Sequence, residues 1–266
     1  MVNWQLIACS ERIVKQRWVM DALSKGMKGY GEVKIDDGDP LKPFVCAGQL
    51  WAVQRMVPIA DRQQTPFWMI DNGYYMQSGK GRHLTGHWEF TYRGLDPILI
   101  KEPDYTRLPY DQHVEPWRYD PKGDVLIGIP GVTFGRVFGM NMGVWIKNIE
   151  SEVRRYTKKT IRTRDKWSKY SIDDELKGVS VLVTHSSHVA IDAIIRGIPA
   201  IVAPSSPAAP VCSHSLEDID NPLMPEADVM RHWWASLMCQ QFTVREIEYG
   251  LAWDWMKRIM EEVDGK

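Results

Sequence analysis

A small polar turn, His185-Ser186-Ser187, stands between a β-branched run (Val179–Thr184) and a helical pattern (His188–Arg196). Two hydroxyls and successive backbone N–H groups at a helix start suit a phosphate, and the amino end of a helix favours its negative charge. The same residues also make an ordinary serine-rich helix cap, with Asp192 on the helix merely solvated. A glycine-rich stretch, Gly131-Val132-Thr133-Phe134-Gly135-Arg136, follows another strand candidate. Glycine lets backbone come close to phosphate, and Arg136 is either a cation for a leaving diphosphate or a surface residue. The stretch lacks the Gly-Lys-Ser/Thr ending of a Walker loop and the GxGxxG spacing, so neither NTP hydrolysis nor dinucleotide binding is supported.

Carboxylates and cations complete the candidate chemistry. Asp71 opens an Asp71-Asn72-Gly73 turn after a strand, and Glu89 sits in His87-Trp88-Glu89-Phe90. A carboxylate beside a hydroxyl can take its proton, but Asp in a turn often bonds its own backbone instead. Arg162, Arg164 and Lys166 follow a strand pattern where a cation would help hold an anionic ligand. Residues 147–170 hold nine Lys or Arg against three acidic residues. Such a run is a solvated face or, through Arg154, Arg155, Lys158 and Lys159, a patch for DNA phosphate. Asp37-Gly38-Asp39 lies in a Gly/Pro turn, and the pairs His83/His87 and His185/His188 lack a third ligand, so no metal site is expected.

These residues need a scaffold. Strand, polar turn, helix, Gly197 and a second apolar run ending at Pro204 form a βαβ unit with a parallel pair, and open sheets of this kind bind ligands at the strands' carboxyl ends. Further strands are expected over Asn3–Cys9, Glu32–Ile35, Pro43–Ala47, Pro66–Ile70, Asp124–Ile129 and Lys159–Arg164. Helices are expected from Ser10 to Lys25, over Gly48–Val57, over Ile172–Leu176 and over Asn141–Thr157. The last carries Trp145, Ile149 and Val153 on one face. Thr243-x-x-Glu246 is a capping box, after which Ile247, Leu251, Trp255 and Ile259 line a helix face. Residues 75–120 show weak periodicity. The chain divides into an α/β half over 1–120, a second over 121–245, and a terminal helix over 246–266 that returns toward the first. Two α/β halves facing a cleft, with that helix near their junction, are the simplest architecture.

Composition excludes several classes. The 266 residues carry a net charge of −1, which gives no whole-molecule nucleic-acid signature. Cys9, Cys46, Cys212 and Cys239 are scattered, without a CxxC pair, and read as thiols of a reducing compartment. No apolar run reaches a membrane span and no secretory signal pattern opens the chain, so a cytoplasmic protein without membrane contact is expected. Trp233, Trp234, Trp253 and Trp255, at helical spacing, read as packing residues more than as stacking platforms.

The second half resembles the nucleotide-sugar-binding half of two-domain, GT-B type glycosyltransferases. The resemblance rests on the Gly131–Gly135 turn, the His185-Ser186-Ser187 turn with Asp192, and Gly197-Ile198-Pro199 leading to Ala203-Pro204-Ser205. A narrower similarity is to bacteriophage glycosyltransferases that decorate hydroxymethylated pyrimidines in DNA. It is carried by Trp68-Met69-Ile70-Asp71-Asn72-Gly73-Tyr74, the Gly131–Arg136 stretch, Ser206-Pro207-Ala208-Ala209-Pro210 and the pattern from Arg231 to Trp253. The resemblance implies transfer of a sugar from a nucleotide donor, UDP-glucose above all, to DNA containing modified pyrimidines, with no tightly bound cofactor. It implies a donor site at Gly131, Thr133, Gly135, Arg136, Arg162, Arg164, His185, Ser186, Ser187 and Asp192, the last near the ribose. Asp71 would be the base, with Glu89 in reserve. A cell-surface polysaccharide as acceptor, and a non-catalytic nucleic-acid binder on a transferase scaffold, remain alternatives.

Overall fold

The computed structural model describes residues 3–8, 14–35, 37–47, 54–76, 85–94, 97–110, 113–131, 135 and 139–265. The chain forms two compact units: residues 1–98 with 237–266, and residues 99–236. The strands, in chain order, are β1 (Trp4–Ala8), β2 (Gly31–Ile35), β3 (Phe44–Ala47), β4 (Phe67–Asn72), β5 (His87–Tyr92), β6 (Asp124–Gly128), β7 (Ile161–Arg164), β8 (Val179–Val183), β9 (Ala200–Ile201) and β10 (Gln241–Thr243). The helices are α1 (Val14–Gly26), α2 (Val57–Arg62), α3 (Met142–Tyr156), α4 (Ile172–Glu175), α5 (Val189–Ile194), α6 (Ala227–Cys239), α7 (Val244–Glu248) and α8 (Leu251–Asp264). Both units are Rossmann-like α/β structures built on parallel strands. Among the described residues no helix is long and apolar enough to cross a membrane.

The first unit carries a sheet in the order β10-β5-β4-β3-β1-β2. From β2 through β4 the pairs are parallel, while β5 and β10 add antiparallel strands at one edge. β1 and β3 are buried along their whole length, as parallel strands covered on both faces must be. On one face Ile7, Phe44, Cys46, Phe67 and Met69 pack with Met56 and with Ala60 of α2. Alternate residues meet the C-terminal helix: the Trp68 ring lies 5.3 Å from Trp255 of α8, and Phe242 lies 5.6 Å from it. Of the expected face, Ile247, Trp255 and Ile259 are buried, whereas Leu251, at the start of α8, is exposed. The expected capping box at Thr243 and Glu246 is formed, though Gly250, in a left-handed conformation, splits the terminal helix into α7 and α8. A Tyr92–Asp264 hydrogen bond of 2.6 Å and an Arg93–Asp264 ion pair fasten the end of α8 to β5.

The second unit holds a fully parallel sheet, β7-β6-β8-β9. The Trp145, Ile149 and Val153 stripe of α3 packs against Val125, Ile127, Val181 and Val183. Fully burying such aliphatic side chains contributes about 1.5–3 kcal/mol each. The expected βαβ unit is present, with β8 and β9 parallel around α5.

Residues 99–120 belong with this second unit, not with the first half as the boundary at 120 supposed. Their backbone and side chains are tied there: Glu115 N–H donates to Ile195 O, Trp117 Nε1 to Pro225 O and Tyr119 O–H to Asp220 O. The first unit likewise resumes at Leu237, because β10 must pair with β5. Most of the helix expected over Gly48–Val57 lies outside the described set, which lacks residues 48–53 and Ser10; Gln54 and Arg55 are helical, and a further helix runs from Val57 to Arg62. Weak periodicity over 75–120 concealed β5.

Gly197 shows how tightly the 115–118 segment is docked. It has φ +74°, and a Cβ there would stand 2.1 Å from Pro116 O. Gly197→Ala is therefore expected to lower stability by at least about 2 kcal/mol, combining a left-handed penalty with a backbone clash. The urea midpoint of unfolding checks it.

Candidate functional site

In the second unit the predicted polar turn lies at the carboxyl end of β8. Thr184 is buried and its hydroxyl donates to Gly128 O at 2.6 Å, locking the ends of β6 and β8 together. His185, Ser186, Ser187 and His188 follow, all half-buried. His185 Nδ1 and Ser186 Oγ stand 3.3 Å apart, and Ser187 Oγ lies 3.5 Å from Val189 N–H. Burial pushes the His185 imidazole below its ordinary value of 6.5. The helix behind the turn is six residues, shorter than the His188–Arg196 expected, and its cap His188 makes no side-chain capping bond. So brief a helix has few aligned peptides, so anion binding here rests on local hydroxyl and N–H donors more than on a macrodipole.

The other predicted donor residues divide. Gly131 faces open space, whereas Gly135 is packed against Met142 and Met140 O. Thr133 and Arg136 lie outside the described residues. Arg162 is engaged at the opposite end of the sheet, pairing with Asp124 at 2.9 Å and donating to Lys177 O. Arg164 does stand at the carboxyl end, opposite Gly128, but is ion-paired with Glu175 of α4. Asp192 pairs with Arg196, which also holds Asp173. The structure thus gathers His185, Ser186 and Ser187 at one edge and gives Arg162, Arg164 and Asp192 protein partners of their own. Ser206-Pro207-Ala208-Ala209-Pro210 is structural: Ser206 Oγ accepts from Ala208 N–H, and Pro207 O accepts from Trp233 Nε1.

In the first unit, β4 and β5 place the two chosen carboxylates directly opposite each other: Asp71 pairs with Glu89, and Glu89 in turn with Gln241 of β10. Residues facing one another across antiparallel strands share a sheet face, with Cβ atoms roughly 4.5–5.5 Å apart. The row sits where β4 ends, the carboxyl edge of the parallel strands. Glu89 is 3% exposed and accepts a hydrogen bond from the Tyr74 hydroxyl. Gln241 Oε1 accepts from the Tyr74 and Tyr75 backbone N–H groups, while its Nε2 donates to Leu237 O. Gly73 permits this, since a Cβ there would meet Gln241 Oε1 at 2.5 Å. Asp71 is half-buried. It lies inside β4 and not in the turn expected of it; its Oδ1 accepts from Asn72 N–H at 2.7 Å, and Oδ2 has no protein partner among the described residues.

Tyr74 and Gln241 are functional candidates that the sequence reading missed. The alternation Trp88-Glu89-Phe90-Thr91-Tyr92 signals β5, but it is embedded in a Gly- and Tyr-rich stretch; β10 has three residues, too few for any periodic signal.

Asp37-Gly38-Asp39 is a packed turn. The Asp39 backbone N–H and C=O both bond the buried Gln5 amide, and a Cβ on Gly38 would strike Ile7. Among the described residues no group of three His, Cys, Asp or Glu is placed to hold a metal. His83 lies outside those residues. The Trp-rich tail is packing, with Trp233, Trp234 and Trp255 buried and Trp253 edge-on to Trp4 at 6.0 Å.

No protein-family model and no curated protein matches the sequence. Among solved structures the chain is similar to KpsC, a beta Kdo 2,4 transferase of Thermosulfurimonas dismutans. The TM-score is 0.51 at 10% identity, covering 89% of this chain and 91% of that one. The likeness establishes a shared fold.

His185 is expected to titrate below 6.5 in an NMR pH series. Because its folded value is depressed, its stabilising effect is present above about 6.5 and fades as pH falls through the folded value. His185→Asn should remove that part of the acid sensitivity in unfolding midpoints measured from pH 7.5 to 5.

Proposed function

We propose that this protein is a glycosyltransferase, moving a sugar from a nucleotide donor to an acceptor hydroxyl. The observation that carries the reading is the Asp71–Glu89 pair at the carboxyl edge of the first sheet, with one Asp71 oxygen open and Glu89 buried beside it. A transferase needs a carboxylate free to receive the acceptor's proton. The shared fold with a Kdo transferase supports the same class.

In this reading the acceptor hydroxyl gives its proton to Asp71 Oδ2 as its oxygen bonds to the anomeric carbon. The bond from that carbon to the donor's phosphate oxygen breaks, and the nucleotide leaves with the electron pair. Ser186 and Ser187 of the second unit offer hydroxyl and N–H donors of the kind that bind a phosphate. Tyr74 and Gln241 fix the turn and the buried Glu89 beside the base. UDP-glucose is the first donor to try.

Two acceptor classes are in play. A saccharide hydroxyl is the kind of acceptor that the similarity to KpsC supports. A hydroxymethylated pyrimidine in DNA is the second reading, favoured by the cationic surface around Arg154 and Lys158. A base in duplex would then have to be exposed at a cost of a few kcal/mol.

The test is incubation with UDP-glucose, other nucleotide hexoses and nucleotide-activated Kdo, against 5-hydroxymethyl-pyrimidine DNA, unmodified DNA and oligosaccharides, read by mass spectrometry. A sugar-sized mass gain on one acceptor is expected, and Asp71→Asn should slow it by about 10²–10⁴-fold with the fold intact. Neither donor binding nor turnover with any pair would overturn the reading.

A further inference from the structure

A hollow of about 790 Å³ opens on the second unit, lined among others by Tyr119, Lys122, Arg154, Tyr156 and Lys158. It lies where α3 runs into β7 and where the chain enters β6, at the amino ends of the strands. The Ser186 turn is at the carboxyl ends of the same sheet, so the hollow is not part of the candidate donor site.

Its charge is uncompensated. Lys122, Arg154 and Lys158 are exposed and have no acidic partner among the described residues. Arg154 donates to Lys159 O, which fixes its stem and leaves its charge unpaired. Arg155 is turned to Glu152 at 2.9 Å. The one carboxylate of the lining, Asp220, is taken up by Lys159 at 2.6 Å, beneath the Tyr119 ring. Cations in the last turn of α3 also relieve its carbonyl end, a structural duty that leaves their charge at the surface.

We propose that this hollow binds a single nucleic-acid strand through its phosphodiesters, with Tyr156 and Tyr119 as stacking surfaces. The lining selects this partner by what it lacks. Its polar side chains are mostly donors, and its one carboxylate, exposed Asp220, already holds Lys159. An acidic glycan presents hydroxyl donors beside each charge, whereas a phosphodiester backbone presents acceptors. Cations interleaved with aromatic rings are the usual means of holding a strand without reading its sequence.

The inference stands whether or not the chain transfers sugar, and binding tests it directly. Fluorescence anisotropy of a labelled oligothymidylate with the full chain is expected to show binding that weakens steeply with salt. Three neutralised phosphates give a log–log slope of about −2, roughly twentyfold between 50 and 200 mM. Lys122→Glu/Lys158→Glu should weaken binding more than tenfold, while Lys101→Glu/Lys169→Glu, the same net-charge change on exposed lysines outside the lining, should leave it within about twofold. Tyr156→Ala should cost roughly fivefold or more, with circular dichroism confirming each variant's fold. No binding at 50 mM salt, equal binding by the groove and control variants, or displacement of the oligonucleotide by polygalacturonate at matched charge would overturn the proposal. The last result would assign the hollow to an acidic glycan.

Discussion

A buried carboxylate is the constraint around which the first unit's working edge is arranged. Glu89 is 3% exposed, and a charge so placed is tolerated only when strong hydrogen bonds replace its water. The Tyr74 hydroxyl provides one. Tyr74 is itself held by Gln241, whose amide binds two backbone N–H groups of the turn, and Gly73 leaves the room for that amide. One buried carboxyl group is thus met by a glycine, a tyrosine, a glutamine and the strand that delivers the glutamine. Asp71 lies directly across from it in the strand register.

The second unit uses a different device. There the His185-Ser186-Ser187 turn is pinned from behind by the buried Thr184 bond to Gly128, ahead of a six-residue helix. Arg164, at the carboxyl end of the sheet, and Arg196, just beyond the helix, are paired within the protein.

What was legible in the sequence follows from period and burial. The β8–α5–β9 unit, the Trp145 stripe and the Thr243 capping box were readable because each is a local pattern with a local cause. Asp71 and Glu89 could be named as candidates but not as neighbours: their pairing needs β5, hidden in an aromatic, turn-rich stretch, and register is a tertiary fact. Gln241 was invisible, since three residues of strand carry no period. Arg162 was misleading for a related reason. Its strand position was right, but Asp124 and Lys177 O capture it at the far end of the sheet.

The row Asp71, Glu89 and Gln241 is drawn from chain segments separated by an entire folded unit, because residues 99–236 are inserted between β5 and β10. Synthesis runs from the amino end, so a ribosome delivers β4 and β5 long before the strand that completes their edge. Until residue 241 emerges, β5 has an unpaired border and the turn at Tyr74 has no amide to hold it. The nascent second unit can meanwhile close its own four-stranded sheet. The order of assembly is therefore opposite to the order of the sequence for the inserted unit: the β5 edge of the unit begun first is the last to be finished.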